Sequence, residues 1–292
     1  MHNPSPLRYP GGKCKFYPVV RDILRLNDLL GTTYIEPFAG GAGLALRLLF
    51  SGDVNRIIIN DYDPHIYAFW YAALKHSEAL CDLIDQIPVD IAERERQKTI
   101  YSNCDLSHPL QLGFATFFLN RTNVSGVLNG GVIGGNAQAG EYKIDARYDK
   151  PALIAKIREI ANYRENILLL NSDAVKLFSY SEVKNTRNTF VNFDPPYVTK
   201  GARLYKNSFG QEDHLALARH ILKIQRKWIV TYDVSPLILK AYSACRIGYL
   251  NVSYSLRDKK SAQEYIIFGN SLRMPESILL ANDALHFKEN AK

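Results

Sequence analysis

Four residues two-thirds of the way along the chain, Asp194-Pro195-Pro196-Tyr197, combine a carboxylate, two rigid backbone positions and an aromatic ring. They follow Thr189-Phe190-Val191-Asn192-Phe193, a run rich in β-favouring side chains that predicts a short buried strand. Proline has no N–H to give a sheet ladder, so the strand must stop there and Asp194 falls just past its carboxyl end. In open α/β sheets that edge is where ligands bind. A plain Pro-Pro strand terminator carrying an exposed tyrosine fits the tetrapeptide equally well, and the choice turns on the rest of the chain.

A second group of residues points to a cofactor. Tyr34-Ile35-Glu36-Pro37-Phe38-Ala39-Gly40-Gly41-Ala42-Gly43, followed by an apolar helical run from Leu44 to Ser51, reads as strand, glycine turn and helix. The turn has neither the G-x-G-x-x-G spacing of a dinucleotide site nor the G-x-x-x-x-G-K-[ST] of a phosphate loop, which disfavours NAD, FAD and ATP. A tight glycine turn without those fingerprints suits a mononucleoside-type cofactor. The next strand, Arg56-Ile57-Ile58-Ile59-Asn60-Asp61, ends in an acid 21 positions after Gly40. A carboxylate there suits a pair of ribose hydroxyl donors, or it caps the loop before Tyr62-Asp63-Pro64. Asp173, closing the strand Asn166–Asp173, could accept from an adenine amino group. Near the start, Gly11 and Gly12 would let backbone amides approach an anion with Lys13 beside them, unless the stretch Pro6–Lys13 is only an ordered cap.

These groups need a βαβ framework, and the pattern supplies one with an interruption. Helices are expected over about 15–30, 151–162, 211–225 and 235–243, and strands over 227–232, 246–256 and 263–269. Between the second and third strands, residues 64–150 read as helices at roughly 64–76, 78–86, 90–102 and 109–120 and then an irregular glycine-rich segment. Asn129-Gly130 between Val127-Leu128 and Val132-Ile133 is a hairpin signal beside Arg121, Thr122, Asn123 and Ser125, and such a hairpin could probe a groove, with Arg and Asn the side chains best suited to base edges. A flexible surface loop is the competing reading.

Composition narrows the class. Of 292 residues, 47% are hydrophobic and 22% charged, as in a globular protein. No apolar run is long enough to span a bilayer and the N-terminal stretch lacks the apolar core of a signal peptide, so a cytoplasmic location is expected. Four scattered cysteines and seven histidines without ligand spacing argue for reduced thiols and no metal site. Net charge is +7, concentrated from Lys200 to Lys260, where twelve Lys/Arg face four acids. With 18 tyrosines, that balance suits a polyanion with stackable bases, and a solvated basic surface explains it nearly as well.

Taken together in order, Tyr9–Lys13 (YPGGK), Glu36–Gly43 (EPFAGGAG), Asn60-Asp61 and Asp194–Tyr197 (DPPY) resemble the motifs of the D12-class, Dam-like family of DNA adenine-N6 methyltransferases. Phe118–Gly126 resembles that family's recognition region, and Tyr205–Ala218 its loop and helix after DPPY. The matches span about residues 6 to 270. The resemblance implies a Rossmann-like S-adenosylmethionine-dependent fold: an α/β mixed seven-stranded sheet with an antiparallel last strand and a helical DNA-recognition insertion. The catalytic domain would be residues 1–63 and 151–270, the target-recognition domain 64–150, and 271–292 a peripheral tail.

The resemblance also implies an activity: methyl transfer from S-adenosylmethionine to N6 of adenine in duplex DNA after base flipping. Asp194, Pro195, Pro196 and Tyr197 would be catalytic. Tyr9, Lys13, Phe38, Gly40, Asp61, Asp173 and Asp194 would line the cofactor site. Arg121, Asn123, Ser125, Lys200, Arg203 and Phe209 would meet DNA, with Phe209 a second wall of the base pocket. The implied protein is a monomer with no metal and no membrane, either an orphan enzyme or one working separately from a cognate restriction endonuclease. Two alternatives remain on the residues alone: an RNA adenine-N6 methyltransferase and a catalytically silent DNA-binding protein. The stretch Gly126–Gly140 departs from the recognition hairpin of GATC-specific members and leaves the target sequence open.

Overall fold

The computed structural model describes residues 3–9, 13–199, 209–253, 261–269 and 271–281, and Gly11, Gly12, Lys200 and Arg203 lie outside them. Seven described strands form one sheet: β1 (Thr33–Glu36), β2 (Arg56–Asn60), β3 (Ile167–Leu170), β4 (Thr189–Phe193), β5 (Lys227–Asp233), β6 (Arg246–Ser253) and β7 (Ser261–Phe268). Their order is β3-β2-β1-β4-β5-β7-β6. β1 to β5 run parallel, and β7 lies antiparallel between β5 and β6. The expected mixed seven-stranded sheet with an antiparallel last strand is therefore present. The reversal brings the start of β7 to the edge where β1, β2, β4 and β5 end.

Apolar residues on both faces explain why these short runs form strands. Along β1, β2 and β4, Tyr34, Ile57, Ile59 and Phe190 join one core, while Ile35, Ile58, Val191 and Phe193 join the other. This period of two is what a sheet covered on both sides requires. The first core holds α1 (Tyr17–Leu26) and α2 (Gly43–Phe50), and the second holds α8 (Ser181–Lys184), α9 (Gln211–Ile221) and α10 (Pro236–Ala241). Residues Lys13–Phe16 form a short 3-10 turn ahead of α1, where a longer helix from about 15 is expected.

The inserted helices α3 (Pro64–Lys75), α4 (Ser77–Gln86), α5 (Ile91–Asn103) and α6 (Pro109–Thr122) lead to α7 (Lys150–Asn162). Phe69 and Trp70 of α3 and Phe114, Phe117 and Phe118 of α6 belong to the same core as Ile57, Ile59 and Ile157. Phe69 and Phe117 stack at 5.9 Å, and a Cβ on Gly113 would lie 2.5 Å from the Ala68 carbonyl oxygen, so α3 and α6 cross in direct backbone contact. α3, α4, α6 and α7 share the sheet's own hydrophobic layer, while α5 packs against α6 through Tyr101 in a small separate cluster.

The hairpin expected at Asn129-Gly130 does not form as two strands. A turn closes from Gly130 N–H to the Val127 carbonyl, but the pairing lies further out, in a single bridge between Asn123 and Val132. The reason is Asn123: its amide nitrogen donates to the Val127 and Leu128 carbonyls at 3.0 and 2.9 Å, taking the acceptors that a ladder would use. The strand ending at Asp173 likewise stops early, at Leu170, and Asn171–Asp173 make a turn.

Asn60, fully buried, ties the parallel strands together at their carboxyl ends. It donates to the carbonyls of Pro37 and Ser172 at 2.9 and 2.8 Å and accepts from the Ser172 N–H at 3.0 Å. Asn60→Ala leaves those three backbone groups unpaired and should destabilise the protein by about 3 kcal/mol, measured by urea unfolding.

Candidate active site

At the carboxyl edge of β1, β2 and β4 lies a cleft of about 860 Å³. Tyr9, Lys13, Phe38, Asp61, Asp173, Asp194 and Phe209 all line it, so residues from six separate sequence segments converge on one space. The second strand fixes the glycine turn at its floor. Gly40 N–H donates to Asp61 Oδ2 at 2.8 Å, and Trp70 Nε1 donates to the Gly40 carbonyl at 2.8 Å. Gly40 has φ +47°, and a Cβ there would sit 2.5 Å from the Tyr9 ring, so only glycine lets the ring lie on the turn. Asp61 Oδ1 accepts from Asp63 N–H at 3.0 Å. Burial pushes the Asp61 carboxyl up to about 7, against the two N–H bonds that favour its charged form. Asp173 is exposed at the rim, where its carboxylate caps the turn at Val175 and Lys176.

Asp194 stands at the end of β4 with both faces of its role visible. Oδ1 is held by Thr231 Oγ1 at 2.9 Å and by Lys13 Nζ at 3.1 Å. Among the described residues Oδ2 has no hydrogen-bond partner. The side chain is 24% exposed, towards the cleft that Asp194 and Pro196 line. Pro195 is buried and its carbonyl accepts no hydrogen bond from a described residue. The free Asp194 Oδ2 is thus left as an oxygen acceptor at one edge of the cleft, with the unpaired carbonyl of buried Pro195 next to it in sequence. Burial raises the Asp194 carboxyl and Glu264 adds to it, while Lys13 and Thr231 oppose.

Lys13 is buried and makes three contacts. Besides Asp194 it donates to Glu264 Oε2 at 2.8 Å and to the Tyr197 hydroxyl. Its ammonium also lies 4.8 Å from the Tyr197 ring centroid. Burial acts to lower the lysine, but Asp194 and Glu264 outweigh it and the net direction is up, so Lys13 stays charged. The sequence places Lys13 with the cofactor; the structure also ties it to the DPPY carboxylate. Tyr197 is 9% exposed, its ring covered within the second core, whereas Phe209 reaches the cleft and meets Phe38 edge-on at 6.2 Å.

Sequence reasoning missed several supporting groups. Thr231 of β5 orients Asp194, and Asp233 at the same strand end accepts from the N–H groups of Val198 and Thr199 at 2.9 and 2.8 Å, fixing the chain just after DPPY. Both stand at the carboxyl end of a predicted strand, which is the signal that marks them. Glu36 is 5% exposed and accepts from the Tyr34 hydroxyl at 2.9 Å, which in turn accepts from Asn192 Nδ2 at 2.8 Å. The Asn192 Oδ1 is buried without a partner among the described residues, and both Glu36 and Asn192 line the cleft.

The residues assigned to DNA divide differently. Asn123 is fully buried and its Oδ1 accepts from Arg94 Nη2 at 2.9 Å, so the side chain holds the loop and has no donor left for a base; this corrects its assignment as a base reader. Ser125 is exposed at φ +57°. Arg121 is half-buried with its Nε unpartnered, and burial, with Arg8 and Arg147 nearby, pushes it down to about 10. Lys200 and Arg203 fall outside the described residues. The glycines of YPGGK do as well.

Glu36 generates a stability prediction with a definite sign. Its carboxyl is raised to about 8, chiefly by burial, with Asp194 adding and Tyr34, the Ala45 N–H and Lys13 opposing. A group raised on folding stabilises below its ordinary value, and that contribution is lost as pH rises through about 8. Urea unfolding across that window should show the wild type losing stability with rising pH relative to Glu36→Gln, which cannot ionise.

Residues 9–256 match the D12 class N6 adenine-specific DNA methyltransferase family. The type II methyltransferase M.MjaIII of Methanocaldococcus jannaschii is 25% identical over 244 residues, covering 76% of this chain and 80% of that protein. The type II methyltransferase M.CviBI of Paramecium bursaria Chlorella virus NC1A is 24% identical over 255 residues, covering 85% and 88%. A solved putative RNA methyltransferase from Pyrococcus horikoshii overlaps with a TM-score of 0.38 and 12% identity, over 93% of this chain and 86% of that one. With the sheet, the glycine turn and the DPPY edge in place, the family match is decisive: the chain belongs to the D12 class N6 adenine-specific DNA methyltransferases and is an adenine DNA methyltransferase.

Proposed function

We propose that the enzyme moves the methyl group of S-adenosylmethionine to N6 of one adenine in a specific duplex sequence, with that adenine swung out of the helix. The observation that carries this is the open Oδ2 of Asp194 on the cleft wall, followed in the chain by the uncommitted carbonyl of Pro195. An amino group with two protons needs two acceptors, and the adenine N6 lone pair is delocalised into its ring. Acceptors fixed in advance draw that nitrogen towards tetrahedral geometry and stabilise the positive charge it gains during attack more than they stabilise the ground state. Lys13 and Thr231 favour the charged form of Asp194 against its burial and hold Oδ1, so that Oδ2 stays free. No base is needed before attack, because the proton leaves N6 afterwards.

The residues present fit the cofactor. Its ribose hydroxyls are donors suited to Asp61, and its cationic groups suit a cleft wall bearing the Glu36 carboxyl and the orphan Asn192 Oδ1. When bound, S-adenosylmethionine supplies a methyl group activated on a sulfonium. Tyr9 over the glycine turn, Phe38 beside it and Asp173 at the rim would complete the cofactor wall. Phe209 would form one wall of the base pocket. The role of Tyr197 as a stacking face requires its covered ring to be exposed as the base enters. Transfer of labelled methyl onto duplex DNA checks the reading. Asp194→Ala should lower turnover by about 10²–10³-fold, and a turnover equal to wild type would sink the proposed chemistry.

Recognition would come from residues 64–150, carried by the loop after α6, since α3, α4 and α6 are committed to the core. Both relatives are named type II methyltransferases, which supports a site-specific enzyme acting apart from any cognate restriction endonuclease. In this reading Arg121 meets a phosphate. Its guanidinium is half-buried beside Arg8 and Arg147, a crowd of cations that favours an anion over a base edge. Arg121→Ala should weaken binding about equally on all DNA sequences and reduce the salt slope of log K by about 1. A loss confined to one base position would mean that it reads a base.

A further inference from the structure

Glu264 is a buried acid that no motif contains, 2% exposed on β7 and paired in register with Asp233 of β5. It reaches the site because β7 runs antiparallel, which puts the first half of that strand beside the carboxyl ends of its neighbours. Its Oε2 takes Lys13 at 2.8 Å, closer than the 3.1 Å from Lys13 to Asp194. The ammonium is therefore shared between two carboxylates, and its 3.1 Å contact on Asp194 is to Oδ1, the oxygen already held by Thr231.

We infer that Glu264 is a positioning residue for methyl transfer, acting through Lys13 to keep Asp194 Oδ2 open as the acceptor for the adenine amino group. Without Glu264, Lys13 would have one carboxylate to satisfy and would move fully onto Asp194, across both oxygens in the geometry a carboxylate offers a cation. Oδ2 would then be covered, and an acceptor fully paired with an ammonium is a weaker acceptor. A second consequence follows from charge alone. Glu264 is one of two acids beside Lys13, and its negative charge raises Asp194. Among the described residues, the other charged or titratable groups facing this cluster are Tyr34 and Glu36 from β1, Tyr197 after β4, and Tyr232 and Asp233 from β5. Removing the charge of Glu264 should thus make Asp194 easier to ionise while making it less useful.

That pairing of effects is the test, and it rests on Asp194 being the acceptor. On that reading Asp194→Ala lowers turnover by about 10²–10³-fold whatever Glu264 does, so the two ideas fail separately. For Glu264→Gln, kcat on duplex DNA should fall on the order of tenfold or more, with KM for S-adenosylmethionine and for DNA little changed. The acidic limb of its kcat–pH profile should move to lower pH by about half a unit or more. Glu264→Asp keeps the charge, so its acidic limb should stay at the wild-type position and part of the lost rate should return. In a Lys13→Met background the ammonium that links the two acids is already gone, so Glu264→Gln should change kcat less than about twofold; Glu264→Asp, which keeps the charge, covers the case in which Glu264→Gln alone does not fold. A Glu264→Gln enzyme with wild-type kcat would overturn the inference. So would a lowered kcat with an unmoved acidic limb, the mark of a purely structural residue, and so would a full additional loss in the Lys13→Met background.

Discussion

A carboxylate buried beside a cavity that must receive a base faces a specific hazard. Left unpaired, Asp194 would take up a proton, and a protonated acid presents a donor where an acceptor is required. Lys13 removes the hazard, but an ammonium held by Asp194 alone would compete with the substrate for the same oxygens. The geometry resolves both demands through crowding: Thr231 and Lys13 converge on Oδ1, Glu264 draws the ammonium aside, and Oδ2 is left facing the cleft. Each of these groups is placed by a different strand or turn, so the acceptor exists only once the sheet has closed.

The sheet in turn depends on what happens at the ends of its strands. Parallel strands need no partner side chains along their length, since both faces are covered by apolar residues. At their carboxyl ends the ladders stop and backbone groups are exposed to a polar cleft. Asn60 supplies three hydrogen bonds there, Asp61 takes the Gly40 N–H, Trp70 takes the Gly40 carbonyl, and Asp233 takes two N–H groups after DPPY. The same residues that satisfy the backbone also shape the site. Substituting one of them disturbs both, so a loss of activity at Asn60 or Asp233 has to be read beside a measurement of stability.

What the sequence made legible was whatever the backbone constrains. Prolines at 195 and 196 end a strand, glycines at 40 and 41 let a ring lie on a turn, and an acid at 61 falls at the spacing of one βα unit. Those marks are local, and reading them placed Asp194, Gly40, Asp61 and Lys13 around one cleft. Glu264 left no such mark. It sits in an alternating strand, Ser-Ala-Gln-Glu-Tyr-Ile-Ile-Phe, where an acid looks like an ordinary solvent-facing position, and only the antiparallel pairing with β5 turns it inward. Asn123 failed for the opposite reason. Its type suits a base edge, but burial is a property of the folded loop, and there its amide is used up on Arg94, Val127 and Leu128. Arg94, in the first turn of α5, gave no sign that it would be buried against that loop.

Base flipping belongs to the proposed reading because of the shape of this site. An adenine stacked within a duplex presents N6 in the major groove, with its neighbours a few ångströms above and below, whereas Asp194 lines a cleft that Tyr9, Phe38 and Phe209 also line. On that reading the base would leave the stack to reach Asp194, at a cost of a few kcal/mol. Aromatic surface at the cleft would offset part of that cost by stacking, and cations such as Arg121 would offset more through the backbone. Tyr197 is the one aromatic whose availability depends on another group, since Lys13 holds its hydroxyl and lies against its ring. Uncovering Tyr197 for a base would therefore draw on the same ammonium that sets Asp194, and entry of the adenine and readiness of its acceptor are linked through a single lysine.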